Sequence, residues 1–262
     1  MLADKGQERA AITLLERAVQ KHPDAIAARQ LLVRLEATVG DLGAAERAAA
    51  ELRARLPPDS PLPWLELGRA LEIAHRYDEA LGYYDQAASV APHDPSGPKT
   101  GGLRAARWGE AELAEPRLEE ALRRNPRDAT VWHALGLVRT HLGDPNGASV
   151  AYESGLVADP KALENRLGLA SLALDEGDGA KALVSYDAVL RARPGFADGY
   201  LGRSWALIML GRFDEARLAL AEARRRGGDA RSIARQERLV DDLGTRSGAP
   251  TESPSSPSKK PK

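Results

Sequence analysis

Two stretches of this chain decide its fold when laid over each other: residues 64–92, WLELGRALEIAHRYDEALGYYDQAASVAP, and residues 132–160, WHALGLVRTHLGDPNGASVAYESGLVADP. Trp64, Leu67, Gly68, Ala80, Tyr84 and Pro92 of the first match Trp132, Leu135, Gly136, Ala148, Tyr152 and Pro160 of the second. The register extends both ways along the chain. Prolines at helix-ending places stand at Pro23, Pro57, Pro92, Pro126, Pro160 and Pro194, separated by 34, 35, 34, 34 and 34 residues, and Gly228 follows 34 later. A second ladder runs Gly40, Gly109, Gly143, Gly177 and Gly211, with His75 on the missing rung. Two ladders sharing one period define a repeat architecture.

Local chemistry assigns each rung a job. A Gly after a helix accepts the left-handed conformation of a C-terminal cap. The Asp that follows at Asp41, Asp144 and Asp178 can cap the next helix through its carboxylate. Pro145 falls at the first position of such a helix, where a missing N–H costs little. Each proline on the other ladder closes a second helix, which it cannot continue. Between the marks the apolar residues recur at helical spacing. Small residues in register, Gly68 with Ala80 and Gly136 with Ala148, predict close approach of the two helices of a unit; a mid-helix Gly otherwise costs about 1 kcal/mol against Ala.

Composition agrees with an all-α chain. Ala, Leu, Arg and Glu dominate, hydrophobic residues make up 43% and charged residues 29%, and aromatics only 5%. Formal net charge is −1, which carries no bias toward nucleic acid or anionic membrane. The eighteen residues from Thr245 carry Arg246, Lys259, Lys260 and Lys262 against Glu252, net +3, leaving 33 basic and 37 acidic residues, net −4, in the body. The absence of cysteine excludes disulfides, thiol chemistry and Cys-ligated zinc. No run of apolar residues is long enough to span a membrane, and residues 1–8 lack an apolar signal core.

The pattern Trp-x-x-Leu-Gly, then Ala-x-x-x-Tyr, then Pro, over 34 residues resembles the tetratricopeptide repeat, across about residues 1–228. The resemblance implies stacked antiparallel helix pairs in a right-handed superhelical solenoid, with the first helix of each pair lining a concave groove. On this reading a half repeat occupies 1–23 and six full repeats 24–228. A polar capping helix spans 229–244 and a disordered Ser-, Pro- and Lys-rich tail 245–262. Full pairs begin near Ala25, Pro61, Pro95, Ala129, Ala162 and Ala197. Leu2 to Lys5 before Gly6 reads as the last turn of a lost first helix; a missing N-terminal segment could then carry a signal peptide. As written, the chain is expected in the cytoplasm, and in the periplasm if such a segment exists.

The fourth unit breaks the pattern. Its first helix contains Pro95, Gly97, Pro98, Gly101 and Gly102, which predicts a shortened or frayed helix. It reads either as a hinge or ligand notch or as a tolerated weak repeat. Pro116, in Ala114-Glu115-Pro116, resembles the proline of kinesin-light-chain repeats. The sixth and seventh units carry Arg166 and Tyr200 where the clear units have Trp.

No phosphate loop, His-Glu-x-x-His, Gly-x-Ser-x-Gly or dinucleotide fingerprint occurs, so no catalytic, cofactor or metal site is expected. His133 and His141 share a helix face with Leu137, but eight residues span about 12 Å, too far for one metal. They read either as groove contacts or as solvated histidines. The groove positions implied by the family are Gln30, Arg34, Leu65, Arg69, Lys99, Leu103, His133, Leu137, Leu167, Ser171, Leu201 and Trp205, with Ile208 and Met209 one turn on. Its carboxylate-clamp places hold Gln30, Arg34, Glu66 and Leu62, which do not make that clamp.

The expected binding set is therefore graded. Arg34, Arg69, Lys99 and Arg107 lie early, His133, Leu137 and His141 in the middle, and Leu201, Trp205, Ile208 and Met209 late. Such a wall suits a protein or peptide partner, acidic at one end and apolar at the other. The function expected is a non-catalytic interaction scaffold, bacterial-type by its Ala- and Arg-rich composition. The alternatives are a module severed from a larger enzyme or signalling protein and a nucleic-acid binder using Arg residues and the Lys tail; the acidic body disfavours the second.

Overall fold

The computed structural model describes residues 2–247. Among them are fourteen α-helices and no strand. They are α1 (Leu2–Lys21), α2 (Ile26–Val39), α3 (Leu42–Arg53), α4 (Leu62–Ile73), α5 (Tyr77–Val90), α6 (Ser96–Trp108) and α7 (Ala111–Arg124). Then follow α8 (Ala129–His141), α9 (Pro145–Ala158), α10 (Leu163–Asp175), α11 (Gly179–Ala192), α12 (Ala197–Met209), α13 (Phe213–Arg225) and α14 (Ala230–Ser247). The described chain divides into two compact units at the boundary between Asn165 and Arg166, unit 1 before it and unit 2 after it.

The turns between helices are decided by the residues at the rungs. Gly40, Gly109, Gly143, Gly177 and Gly211 all have positive φ, between 69° and 92°, and His75 alone among non-glycine residues described does so, at 59°. The Asp41, Asp144 and Asp178 carboxylates accept the backbone N–H of Ala44, Gly147 and Lys181 at 2.8–2.9 Å, as N-caps should. His75 fills its rung at a steric cost that glycine would avoid. His75→Gly is therefore expected to stabilise unit 1 by about 0.5–1 kcal/mol, even after the lost His75 Nδ1 to Tyr77 hydroxyl contact of 2.9 Å. A urea midpoint that fails to rise would show that this contact outweighs the strain.

In unit 1 each helix from α1 to α9 packs on its sequence neighbours, and the first helices also touch directly, α2 with α4 and α6 with α8. Small residues bring the helices together. Gly68 faces the ring of Tyr84 and Gly136 that of Tyr152, so closely that a Cβ at either glycine would overlap the ring. Ala80 and Ala148 are fully buried. Both tyrosines are shut into the core, and burial, followed by a hydrogen bond donated to Glu72, pushes the Tyr84 hydroxyl well above its ordinary range. Reach-back bonds close the units: Trp132 Nε1 donates to the Pro126 carbonyl at 2.9 Å.

The irregular fourth unit is a correction. Its first helix, α6, is neither shortened nor frayed; it is continuous over Ser96–Trp108. Its glycines are buried because neighbours press on them. A Cβ on Gly97 would lie 2.5 Å from the backbone nitrogen of Ala88, and one on Gly102 2.8 Å from the Leu118 side chain. Close packing on α5 and α7 supplies what glycine forfeits in helix propensity. Pro116 lies inside a continuous α7. Gly6, too, interrupts nothing, since α1 runs through it from Leu2 to Lys21.

Unit 2 repeats the arrangement with α11, α12, α13 and α14, whose core includes Leu207, Leu220, Ile233 and Val240. Tyr200 replaces the leading Trp and makes the same reach-back bond, its hydroxyl donating to the Pro194 carbonyl at 3.2 Å. Arg226 covers the Tyr200 ring from 4.5 Å. Helix α14 closes the unit with Ile233 and Val240 inward and its charged residues, among them Arg231 and Asp241, toward solvent. It continues three residues past the expected end at 244, through Thr245 to Ser247. The remainder of the expected tail, 248–262, lies outside the described residues.

Candidate partner-binding surface

In unit 1 the wall formed by α2, α4, α6 and α8 carries most of the expected site residues. Its electrostatics differ from the string of free cations that the sequence suggests. Glu66, in the middle of α4, is 0% exposed. Arg34 donates to it through Nε at 2.6 Å and Nη2 at 2.9 Å, Arg69 through Nη1 at 2.6 Å, and Gln30 through Nε2 at 3.2 Å. The bond to Glu66 raises Arg34 still further above its ordinary range. A buried carboxylate persists only when charge and hydrogen-bond partners surround it, and these three side chains do so.

The same pattern continues along the wall. Lys99 donates to Asp128 at 2.6 Å, Arg104 pairs with Glu72 at 3.0 Å, and Arg139 with Glu115 at 2.9 Å and Glu119 at 2.5 Å. Arg29 is held by Glu51 and the Pro23 carbonyl. Arg107 is different. It is exposed, and among the described residues it has no carboxylate partner.

Arg107, Leu137 and His141 are brought together. With Leu103, Ala106, Ala134 and Val138 they line an open notch of about 360 Å³ between the C-terminal halves of α6 and α8. Leu137 is 52% exposed there, an aliphatic side chain left standing in solvent. His133 is separated from this group. Its ring packs 6.0 Å from that of Tyr152, and burial holds its imidazole below the usual range, opposed in part by the nearby Glu164 carboxylate.

In unit 2 the four late candidates on α12 divide. Ile208 is corrected: it is 7% exposed and belongs to the core, because its side chain packs among the buried residues of that unit. Leu201 and Trp205 are half-buried against that core, and Met209 is 38% exposed. Among the described residues no cluster of three or more His, Asp or Glu side chains could hold a metal ion. No helix described is long and apolar enough to cross a membrane.

What the sequence does not show at these positions is the pairing role of Glu66, Glu72 and Asp128. A signal was present: Arg34 and Glu66, Glu72 and Arg104, and Asp85 and Arg117 are each 32 residues apart, two short of one period. Opposite charges at that spacing face each other across adjacent units.

Hairpins of this kind, repeating every 34 residues with capped turns and Gly–Tyr contacts, define a helical repeat protein. The chain belongs to the tetratricopeptide-repeat family, whose models match residues 31–98, 100–162 and 173–236. Protein FlbA of Caulobacter vibrioides is 28% identical over 183 residues, 67% of this chain and 30% of that protein. The heat-shock protein cognate co-chaperone sgt12 of Aspergillus fumigatus is 33% identical over 92 residues, 35% of this chain and 27% of its own. The chain thus spans under a third of either relative. Among solved structures, YrrB, described as a TPR protein with an unusual peptide-binding site, superposes with a TM-score of 0.62 at 19% identity, covering 74% of this chain and 99% of its own. The C-terminal part of a TPR repeat-containing protein from Cytophaga hutchinsonii reaches 0.68 at 14% identity, covering 87% and 94%. At these identities the likeness is one of fold.

Proposed function

We propose that the chain is a non-catalytic interaction scaffold that binds a protein or peptide partner along the first helices of its repeats. The observation that carries this reading is the open apolar notch around Leu137, on a wall where every described Lys and Arg except Arg107 is paired with a carboxylate. Exposed aliphatic side chains set in a concave, pre-formed surface are what a partner covers. A repeat wall held by Glu66, Glu72 and Asp128 offers such a surface with little reorganisation on binding. The peptide-binding site named for YrrB and the co-chaperone role named for sgt12 belong to those proteins, and both are in keeping with this reading.

The nucleic-acid reading loses support. Arg34, Arg69 and Lys99 already hold carboxylates, so they present little free positive charge to phosphates. The short share of the curated relatives that the chain covers favours, as a second reading, an interaction module that works within a longer protein.

The test is affinity capture from cell extract by the wild-type chain beside a Leu137→Glu, Met209→Glu variant. Both side chains are exposed, so helicity and melting should hold. Trp205→Asp is a poorer probe, because Trp205 also packs on the core. The partner's affinity is expected to fall about tenfold or more when these positions are charged. The same partners retained at equal strength by the variant would sink the proposal.

A further inference from the structure

The notch between α6 and α8 has a chemical character beyond being apolar. Its floor and walls come from Leu103, Ala134, Leu137 and Val138, and its rim from Arg107 and His141. No carboxylate is among its lining residues. On α2, α4, α6 and α8 every other Lys or Arg is matched with an acid: Arg29 with Glu51, Arg34 and Arg69 with Glu66, Lys99 with Asp128, Arg104 with Glu72, and Arg139 with Glu115 and Glu119. Among the described residues of this wall Arg107 alone is left over, and it stands beside the most exposed aliphatic side chain there.

We infer that this notch is an anchor site for a segment of another protein that seats one bulky apolar side chain against Leu103, Leu137 and Val138 and places a neighbouring Asp or Glu side chain on Arg107. The inference rests on the partner-binding reading above and adds to it the chemistry of the occupant. A volume of about 360 Å³ lies at the small end of ligand pockets, room for a side chain or two and not for a domain face. An uncompensated guanidinium at the rim selects for a carboxylate and against an ammonium, and so sets register as well as affinity. The chain's own sequence beyond Thr245 has the wrong sign for this role, with Arg246, Lys259, Lys260 and Lys262 against Glu252.

The probes are short fluorescein-labelled peptides that share one sequence except at two adjacent positions, Leu or Ala followed by Glu, Gln or Lys. They are titrated by anisotropy against the full chain. The Leu-Glu peptide is expected to bind tightest, and replacing its Leu by Ala or its Glu by Lys to weaken binding about tenfold. Arg107→Glu should invert the order, so that Leu-Lys outranks Leu-Glu. Leu137→Glu should abolish discrimination while leaving the melting curve unchanged.

Peptides that the wild type binds without discrimination, or not at all, overturn the assignment, as does an order that survives Arg107→Glu. If Met209→Glu weakens binding and Leu137→Glu does not, the notch assignment falls while the partner-binding wall stands. A dimer in sedimentation that Leu137→Glu dissolves would make a second copy the occupant and overturn the choice of partner.

Discussion

Gly97→Ala is expected to destabilise unit 1 by about 2–3 kcal/mol, although alanine is the better helix former by about 1 kcal/mol. The added methyl would lie 2.5 Å from the Ala88 backbone nitrogen and 2.8 Å from its Cα. A side-chain tip could swing aside, but here the obstacle is the main chain of α5, so relief requires α5 and α6 to separate. That separation would disturb Gly101, which meets the Tyr84 Cβ in the same interface. Gly82→Ala is the matched control. Gly82 is exposed in the middle of α5, and a Cβ added there would meet nothing within 4 Å, so alanine should stabilise by about 0.5–1 kcal/mol. Thermal and urea unfolding of the two variants should therefore move in opposite directions. Stabilisation by both would mean that the glycines of α6 answer no packing demand, and the hinge reading of the fourth unit would regain its basis.

The double variant Arg34→Ala, Arg69→Ala is expected to lose about 3–5 kcal/mol, since it strands Glu66 as a buried charge with Gln30 alone beside it. Each single substitution should cost much less, because the remaining guanidinium still neutralises the carboxylate; the two effects are then strongly non-additive. Burial is one-sided in this network. The Arg34 and Arg69 side chains are 42% and 36% exposed against 0% for Glu66, so truncating the acid frees two arginines that water can receive. Glu66→Ala should accordingly be milder than the double variant. Adding Glu66→Leu to the double variant should recover most of the loss, since an apolar side chain needs no counter-charge. Equal losses from the double variant and from Glu66→Ala in chemical denaturation would show that the charge balance of Glu66 is not what holds α2 to α4.

Gly97 and the Arg34–Glu66–Arg69 network also mark the limit of what the sequence alone shows. The glycine-rich fourth unit is legible as an irregularity, but not its cause. Whether Gly97 weakens a helix or admits a neighbour depends on where Ala88 lies, and that is a property of the α5–α6 contact. Arg34 and Arg69 are legible as wall residues, but their charge is cancelled by Glu66, which the apolar pattern of α4 hides. Ile208 and Met209 are neighbours in the chain with opposite fates, one in the core and one in solvent. About 100° of helical rotation separates consecutive residues, so a small uncertainty in the face suffices to exchange them. Arg107, Leu137 and His141 are each legible singly, and their meeting around one notch is not.

Local order along the chain was enough to establish the period, the helix pairs and the turn at each rung, down to the positive φ that His75 adopts in place of glycine. Those features depend on interactions among residues a few places apart, and such interactions are written in the order of the residues. Packing between helices settled which small residue meets which ring, which cations remain uncompensated, and where the chain divides into two units. Those outcomes depend on interhelical angles and distances, which sum many weak contacts and leave no mark at any one position.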